Sequence, residues 1–177
     1  NEGGLTRRLI NAARVFVGQS EHVKQLGIDT NQFEPETLLV KTVDGSLVLA
    51  GEDRGDHDAP FYENGLHSGT LYAVYDFLQD QLGCRWVWAG PTGEVIPEQE
   101  TVEVEDLSVK ETPSLVRRHF RAGVRPAARR SGWDHYPRYM KDELAALYKP
   151  LMLDEQHWLK RMRMGQSDKP AYGHAFT

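Results

Sequence analysis

The sequence predicts an α/β chain whose core is an open mixed sheet in the order β-α-β-β-α-β, with two helices on one face. Three observations predict it. A short β-rich run ends in glycine at Gly18, an Asp44-Gly45 pair separates two runs of leucine and β-branched residues, and an amphipathic run from Ser68 to Leu82 leads straight into an alternating aromatic segment. Strand-helix-strand crossovers pack back onto their sheet with a right-handed turn, which makes this order a layered sheet-and-helix unit.

The elements follow in order. Arg14 to Ser20 reads as a buried strand running into a helix with Ser20 as N-cap, because its hydroxyl can accept a bond from a free helical amide. Gly27 stops that helix, since glycine takes the left-handed C′ conformation without steric cost. Thr37–Val43 and Ser46–Ala50 form a hairpin on a two-residue type I′ turn at Asp44-Gly45. Its register pairs Val40 with Leu49 and Thr42 with Leu47, so Leu38, Val40, Leu47 and Leu49 share a face for a helix to cover.

Gly51 to Leu66 is an acidic, glycine-containing loop, and Ser68 then caps a helix through about Leu82. Leu71, Val74, Tyr75, Leu78 and Leu82 make an apolar stripe at helical spacing, which turns Asp76 and Asp80 to water, and Gly83 ends the helix. Cys84, Trp86 and Trp88 alternate along the next strand and share one side of it. Val95-Ile96 and the alternation Val102, Val104, Leu107, Val109 give further strand, and Pro113 closes the unit. Beyond it, Leu115–Phe120 reads as a strand, Met140–Tyr148 as a helix, and Asp154–Met164 as another helix stopped by Gly165.

Composition narrows the function classes. The chain's 177 residues give room for one ordinary domain, or for a small one and part of another. With 40% hydrophobic and 27% charged residues it can bury a core, which excludes a mostly disordered chain. No apolar run approaches the ~20 residues of a membrane helix, so no membrane partner is expected. A single cysteine, Cys84, excludes an internal disulfide and a cysteine-rich zinc site. The start, Asn1-Glu2-Gly3-Gly4, reads as processed or truncated and encodes no compartment. The net charge of −5 divides sharply at Pro113: residues 1–112 carry 8 Lys/Arg against 20 Asp/Glu, and residues 113–177 carry 13 against 6.

The run SGTLYAVYDFLQDQLGCRW over residues 68–86, with GEVIP over 93–97, resembles an N-terminal domain of a bacterial glycoside-hydrolase-like family of unknown function. That family is related in architecture to β-hexosaminidases, through their second domain, and to α-glucuronidases, through their N-terminal domain. The segments Val15–Gly18 and Leu47–Gly51 look like its strands ending in glycine, so the resemblance covers residues 14–113; Ser68 stands where the family usually has arginine. The resemblance implies two units. Residues 1–113 would be the accessory α/β domain, and residues 114–177 the first strand and helices of an incomplete (β/α)₈ barrel, which needs ~200 residues or more. Trp158–Gly165 and Gly173–Phe176 resemble that barrel's early segments.

Two substrate-binding residues follow from the same resemblance. Arg118 occupies the place where related barrels end their first strand in an arginine that holds sugar hydroxyls, with Arg117 or Arg121 as the other candidates, and His174 lies at a position near the relatives' pocket. The plainer readings are an ion-pairing arginine and a loop histidine. No catalytic residue is expected within this chain, because glycosidases generally need two carboxyl groups across the scissile bond and no convincing pair is present. Asp53, Asp56, His57, Asp58 and Glu63 could bind a hard cation, but their spacing matches no calcium loop and an acidic surface loop is the simpler reading. Neither metal nor cofactor is expected, since phosphate-loop, Ser-His-Asp and zinc patterns are missing from the sequence.

The implied function is that of a non-catalytic accessory domain buttressing a catalytic barrel, which is the expected partner, with polysaccharide as the substrate class and a secreted or periplasmic setting. A carbohydrate-binding module without chemistry is the first alternative, carried by Trp86 and Trp88 or the Gly51–Leu66 loop, although core packing is the simpler role for both tryptophans. A polyanion or nucleic-acid grip through the basic tail, with Trp133, Tyr136 and Tyr139 interleaved, is the second and is not favoured. A barrel fragment would leave apolar surface open, so self-association or a poorly ordered tail beyond Arg121 is expected.

Overall fold

A computed structural model describes residues 14–55, 66–115, 117–118, 150 and 153–166 of the chain. In chain order the elements are β1 (Arg14–Val17), α1 (Glu21–Gln25), β2 (Leu38–Val43), β3 (Ser46–Gly51), β4 (Asp53–Arg54), β5 (His67–Ser68), α2 (Gly69–Asp80), β6 (Arg85–Trp86), β7 (Glu94–Val95), β8 (Ser108–Glu111), β9 (Arg117–Arg118), α3 (153–161) and β10 (Gly165–Gln166).

The main sheet is mixed and has the order β1-β3-β2-β8, with β1 parallel to β3 and β2 antiparallel to both of its neighbours. The β2–β3 hairpin has the expected register, Val40 opposite Leu49 and Thr42 opposite Leu47. Asp44 and Gly45 take φ of 48° and 72°, the positive pair that a type I′ turn requires. Ser20 caps α1 as expected, its hydroxyl accepting from Val23 N at 3.2 Å, and Gly27 follows at φ 78°.

Because side chains alternate across a sheet, the hairpin supplies two cores. Leu38, Val40, Leu47 and Leu49 pack against Tyr72, Ala73 and Phe77 of α2. Leu39, Val48 and Ala50 pack on the other side against Val23 of α1 and Ile28. The two helices therefore lie on opposite faces, not on one. The reason is that β2 and β3 are apolar at every position from Leu38 to Val40 and from Leu47 to Ala50, so both faces need cover.

Several sequence expectations shift. The strand β1 is an edge rather than a buried strand: Phe16 turns into the α1 core, while Val15 and Val17 are 54% and 60% exposed. Helix α2 is rotated from its predicted stripe. Gly69, Tyr72, Ala73, Asp76 and Phe77 are buried, and Leu71, Val74, Tyr75 and Leu78 are half-buried. Apolar residues surround most of this helix, so periodicity alone cannot choose a face; the small residues Gly69 and Ala73 decide it by letting the helix approach the sheet.

The helix start differs too. Ser68 makes no side-chain cap, and the Thr70 amide donates instead to Asp53 Oδ1 at 3.0 Å. Substituting Asp53 by alanine is expected to destabilise the chain by about 1 kcal/mol, a loss of roughly 2–4 °C in thermal unfolding, whereas Ser68→Ala leaves the cap intact.

Val95 pairs with Arg85 in a separate two-stranded ribbon, β6–β7, and the last sheet strand is confined to Ser108–Glu111. Trp86 is buried against Tyr75, ring centroids 5.4 Å apart, and Cys84 is buried, but Trp88 is 54% exposed because the ribbon turns away at Gly90. Among the described residues no helix is long and apolar enough to cross a membrane.

Candidate functional site

Three chain ends converge beside α2: the approach to β2, the exit from β3 and the first turn of the helix. The Glu52 amide donates to Thr37 O at 2.9 Å and the Gly69 amide to Glu52 O at 3.0 Å. This backbone circuit carries two buried carboxylates, Glu36 at 0% exposure and Glu52 at 6%.

Glu36 sits in a turn with Pro35, closed by Thr37 N on Glu34 O at 3.1 Å. Its φ is 58°, a sign that type II turns require at this place and that usually selects glycine or asparagine. A non-glycine residue held there costs about 1 kcal/mol or more, and it persists where the surroundings over-determine it. The surroundings here are Glu52, whose Oε2 accepts from the Glu36 amide at 3.0 Å, and Arg118, whose Nη2 donates to Glu36 Oε2 at 2.7 Å. Glu52 also pairs with the Nδ1 of the buried His67 and with Arg54 Nη2 at 3.2 Å.

Arg118 is anchored beyond that ion pair. Its Nε donates to Arg163 O at 2.8 Å and its Nη1 to Leu115 O at 2.7 Å. Tyr72 closes the cluster: its hydroxyl lies 3.4 Å from Glu36 Oε1 and 3.2 Å from Met164 O, two acceptors for one proton. Burial first and the Glu36 charge second push the Tyr72 phenol well above its ordinary value, so it remains a neutral donor.

Arg163 is the second anchor. Helix α3 ends in a Schellman pattern, Met164 N to Leu159 O at 2.9 Å and Arg163 N to Lys160 O at 3.0 Å, which puts Arg163 in the left-handed C′ position with φ 54°. The helix thus stops at Arg163, before the Gly165 that the sequence suggested. The strained backbone coincides with a side chain that reaches Asp76 Oδ1 at 2.8 Å and Glu111 Oε2 at 3.3 Å. Two further contacts tie α3 to the ribbon: Trp158 Nε1 donates to Trp86 O at 2.9 Å, and Arg161 pairs with Glu94.

Asp76, expected to face water, is instead buried, and burial pushes its carboxyl upward while Arg163 pulls it only partly back. The folded chain therefore holds this proton more tightly than the unfolded chain. That contribution is fully present below the ordinary value of 3.8 and is lost as pH rises through the raised value. Comparing unfolding of the parent chain and Asp76→Asn, the difference in free energy is expected to move in favour of the parent as pH falls from about 7 to about 4. A flat difference would contradict the burial of this carboxyl.

Between these groups lies a cleft of about 280 Å³, lined by Glu36, Tyr72, Glu111, Thr112, Arg118 and Arg163 among others. Of the two sequence-predicted site residues, Arg118 lines this cleft, with Nε, Nη1 and Nη2 all bonded to protein oxygens; His174 lies outside the described residues. Glu36, Glu52, His67, Tyr72 and Asp76 were missed by sequence reasoning. The Pro35-Glu36 pair was the available signal for the turn, but nothing in the sequence marks its carboxylate as buried. Asp56, His57, Asp58 and Glu63 of the suggested cation loop also lie outside the described residues, as do Trp133, Tyr136 and Tyr139. Among the described residues no group of three or more His, Cys, Asp or Glu is placed to hold a metal ion.

Strands β9 and β10 pair antiparallel, Arg118 opposite Gly165. Neighbouring strands of a (β/α)₈ barrel run parallel, so these two are not successive strands of one, and the expected partial barrel draws no support from the described residues.

Comparison of the chain with protein-family models, curated proteins and solved structures gives no match. The class the fold and site define is therefore a mixed α/β unit with a buried, ion-paired seam.

Proposed function

We propose that residues 14–113 form a non-catalytic accessory domain of a carbohydrate-active hydrolase, and that its work is to seat the catalytic unit which the resemblance places after Pro113. The observation that carries this reading is Arg118, the residue suggested for sugar contact. Its guanidinium is committed to the buried Glu36 and to two carbonyls, and this makes it a positioning residue at the junction. The four ion pairs described above share one polarity: Arg118, Arg161 and Arg163 follow Pro113, and Glu36, Asp76, Glu94 and Glu111 precede it. The charge asymmetry of the sequence supports the same account, an acidic seat for a basic segment.

The test is a glycosidase assay of the full 177-residue chain against a panel of nitrophenyl glycosides, with Arg118→Lys beside it. The expected result is no turnover by either protein. Turnover by the parent chain that is lost in the variant would make the Glu36–Arg118 cleft an active site and end the accessory reading.

A further inference from the structure

We propose that Trp88 is a stacking platform for one pyranose ring of a glycan, with the Asp154 carboxylate placed to accept from its hydroxyls. The proposal rests on the carbohydrate reading above and adds a contact site on residues that do not line the Glu36–Arg118 cleft.

Trp88 is unusual in being both exposed and held. The loop from Val87 to Gly93 is closed by Val87 N on Gly93 O at 2.8 Å and by Gly93 N on Gly90 O at 3.0 Å. The indole Nε1 donates to Thr92 Oγ1 at 3.1 Å, and the Cδ1 edge of the ring lies against Gly93. A Cβ on Gly93 would sit 2.2 Å from Trp88 O and 2.7 Å from its Cδ1, so only glycine admits this arrangement. Over half of the side chain nevertheless stays open to solvent.

An exposed aromatic that is already ordered loses little freedom on binding, and this is what makes fixed tryptophans effective contact residues. The flat apolar ring face, with its negative quadrupole, suits the C–H face of a sugar ring, which is apolar above and below and polar around its edge. The polar edge needs acceptors close by. Asp154 supplies one: its Oδ2 lies over Gly90, two residues along the chain from Trp88, where an added Cβ would be only 3.3 Å away. Val87, Val95 and Ile96 are also exposed near the ribbon and could instead meet a second copy of the chain. The bonded indole edge and the neighbouring carboxylate favour the sugar, because a dry apolar contact between copies would desolvate Asp154.

The test follows the indole N–H signal of Trp88 in the nitrogen-labelled full chain, assigned by its loss in Trp88→Phe, during titration with cellohexaose, xylohexaose, laminarihexaose and chitohexaose at millimolar concentration. At least one sugar is expected to give a saturable shift. Binding weakens about tenfold or more in Trp88→Ala and measurably in Asp154→Asn, whose exchange of a carboxylate for an amide leaves packing unchanged. If Trp88→Ala fails to fold, Trp88→Phe and Asp154→Asn decide through their calorimetric affinities. No shift with any of the four sugars, unchanged affinity in the variants, or a shift that tracks protein concentration without sugar would each overturn the proposal. Because the titration is read on folded protein, its failure leaves the Arg118 account standing, and failure of that account leaves the titration interpretable.

Discussion

Arg118→Met is expected to lower the stability of the chain by about 3–5 kcal/mol, the cost of breaking a buried ion pair while leaving one charge in place. Methionine keeps the length of the side chain but removes the Nη2 donor from Glu36, which has no exposed surface in the folded state. It also frees the carbonyls of Leu115 and Arg163. The paired change Glu36→Gln with Arg118→Met is expected to recover part of the loss, since a neutral amide costs less to bury than a carboxylate. Urea unfolding of the three proteins measures both effects. A single variant within about 1 kcal/mol of the parent would mean that the seam is held by something other than this pair.

The second large effect is steric. Gly69→Ala is expected to cost about 3 kcal/mol or more, with a fall in soluble yield, because the new methyl meets only backbone. It would lie 2.5 Å from Thr37 O, 2.6 Å from Glu52 N and 2.7 Å from Glu52 O, all three engaged in the backbone hydrogen bonds of the circuit beside Glu36. No side chain can swing aside to make room. Gly51 is under the same constraint from the other side, with a Cβ 2.2 Å from the Gly69 carbonyl carbon. Urea unfolding of Gly69→Ala that matches the parent would show that helix and strand ends can separate without loss.

How far the fold was legible depended on whether a local signal carried it. The Asp44-Gly45 turn fixed the hairpin register through backbone geometry, and Ser20 and Gly27 marked α1 by capping chemistry; all three are local and all held. The facing of α2 was lost because Leu71, Tyr75 and Leu78 compete with Tyr72 and Phe77 for the sheet, and the decision rests on how closely Gly69 approaches strands far away in sequence. The uninterrupted apolar runs Leu38–Val40 and Leu47–Ala50 call for cover on both faces, whereas the one-sided expectation weighs only alternate residues. The site was less legible still. The sequence marks Arg118 only as a sugar-contact candidate, because its partner Glu36 is 82 residues away and the burial of that carboxylate is a tertiary fact. Asp76 has the helical spacing of a surface aspartate, and only the tertiary approach of Arg163, itself in a conformation that favours glycine, sets it apart.

The central claim is that residues before and after Pro113 open as one cooperative unit through the Glu36–Arg118 and Asp76–Arg163 pairs. Hydrogen exchange by mass spectrometry on the parent chain and Arg118→Met tests it most directly. The account predicts that amides of β2, α2 and residues 158–166 share one opening free energy in the parent and lose protection together in the variant. Protection in β2 and α2 that is unchanged while residues 158–166 exchange freely would contradict it, and would make the seam a surface contact between independent parts.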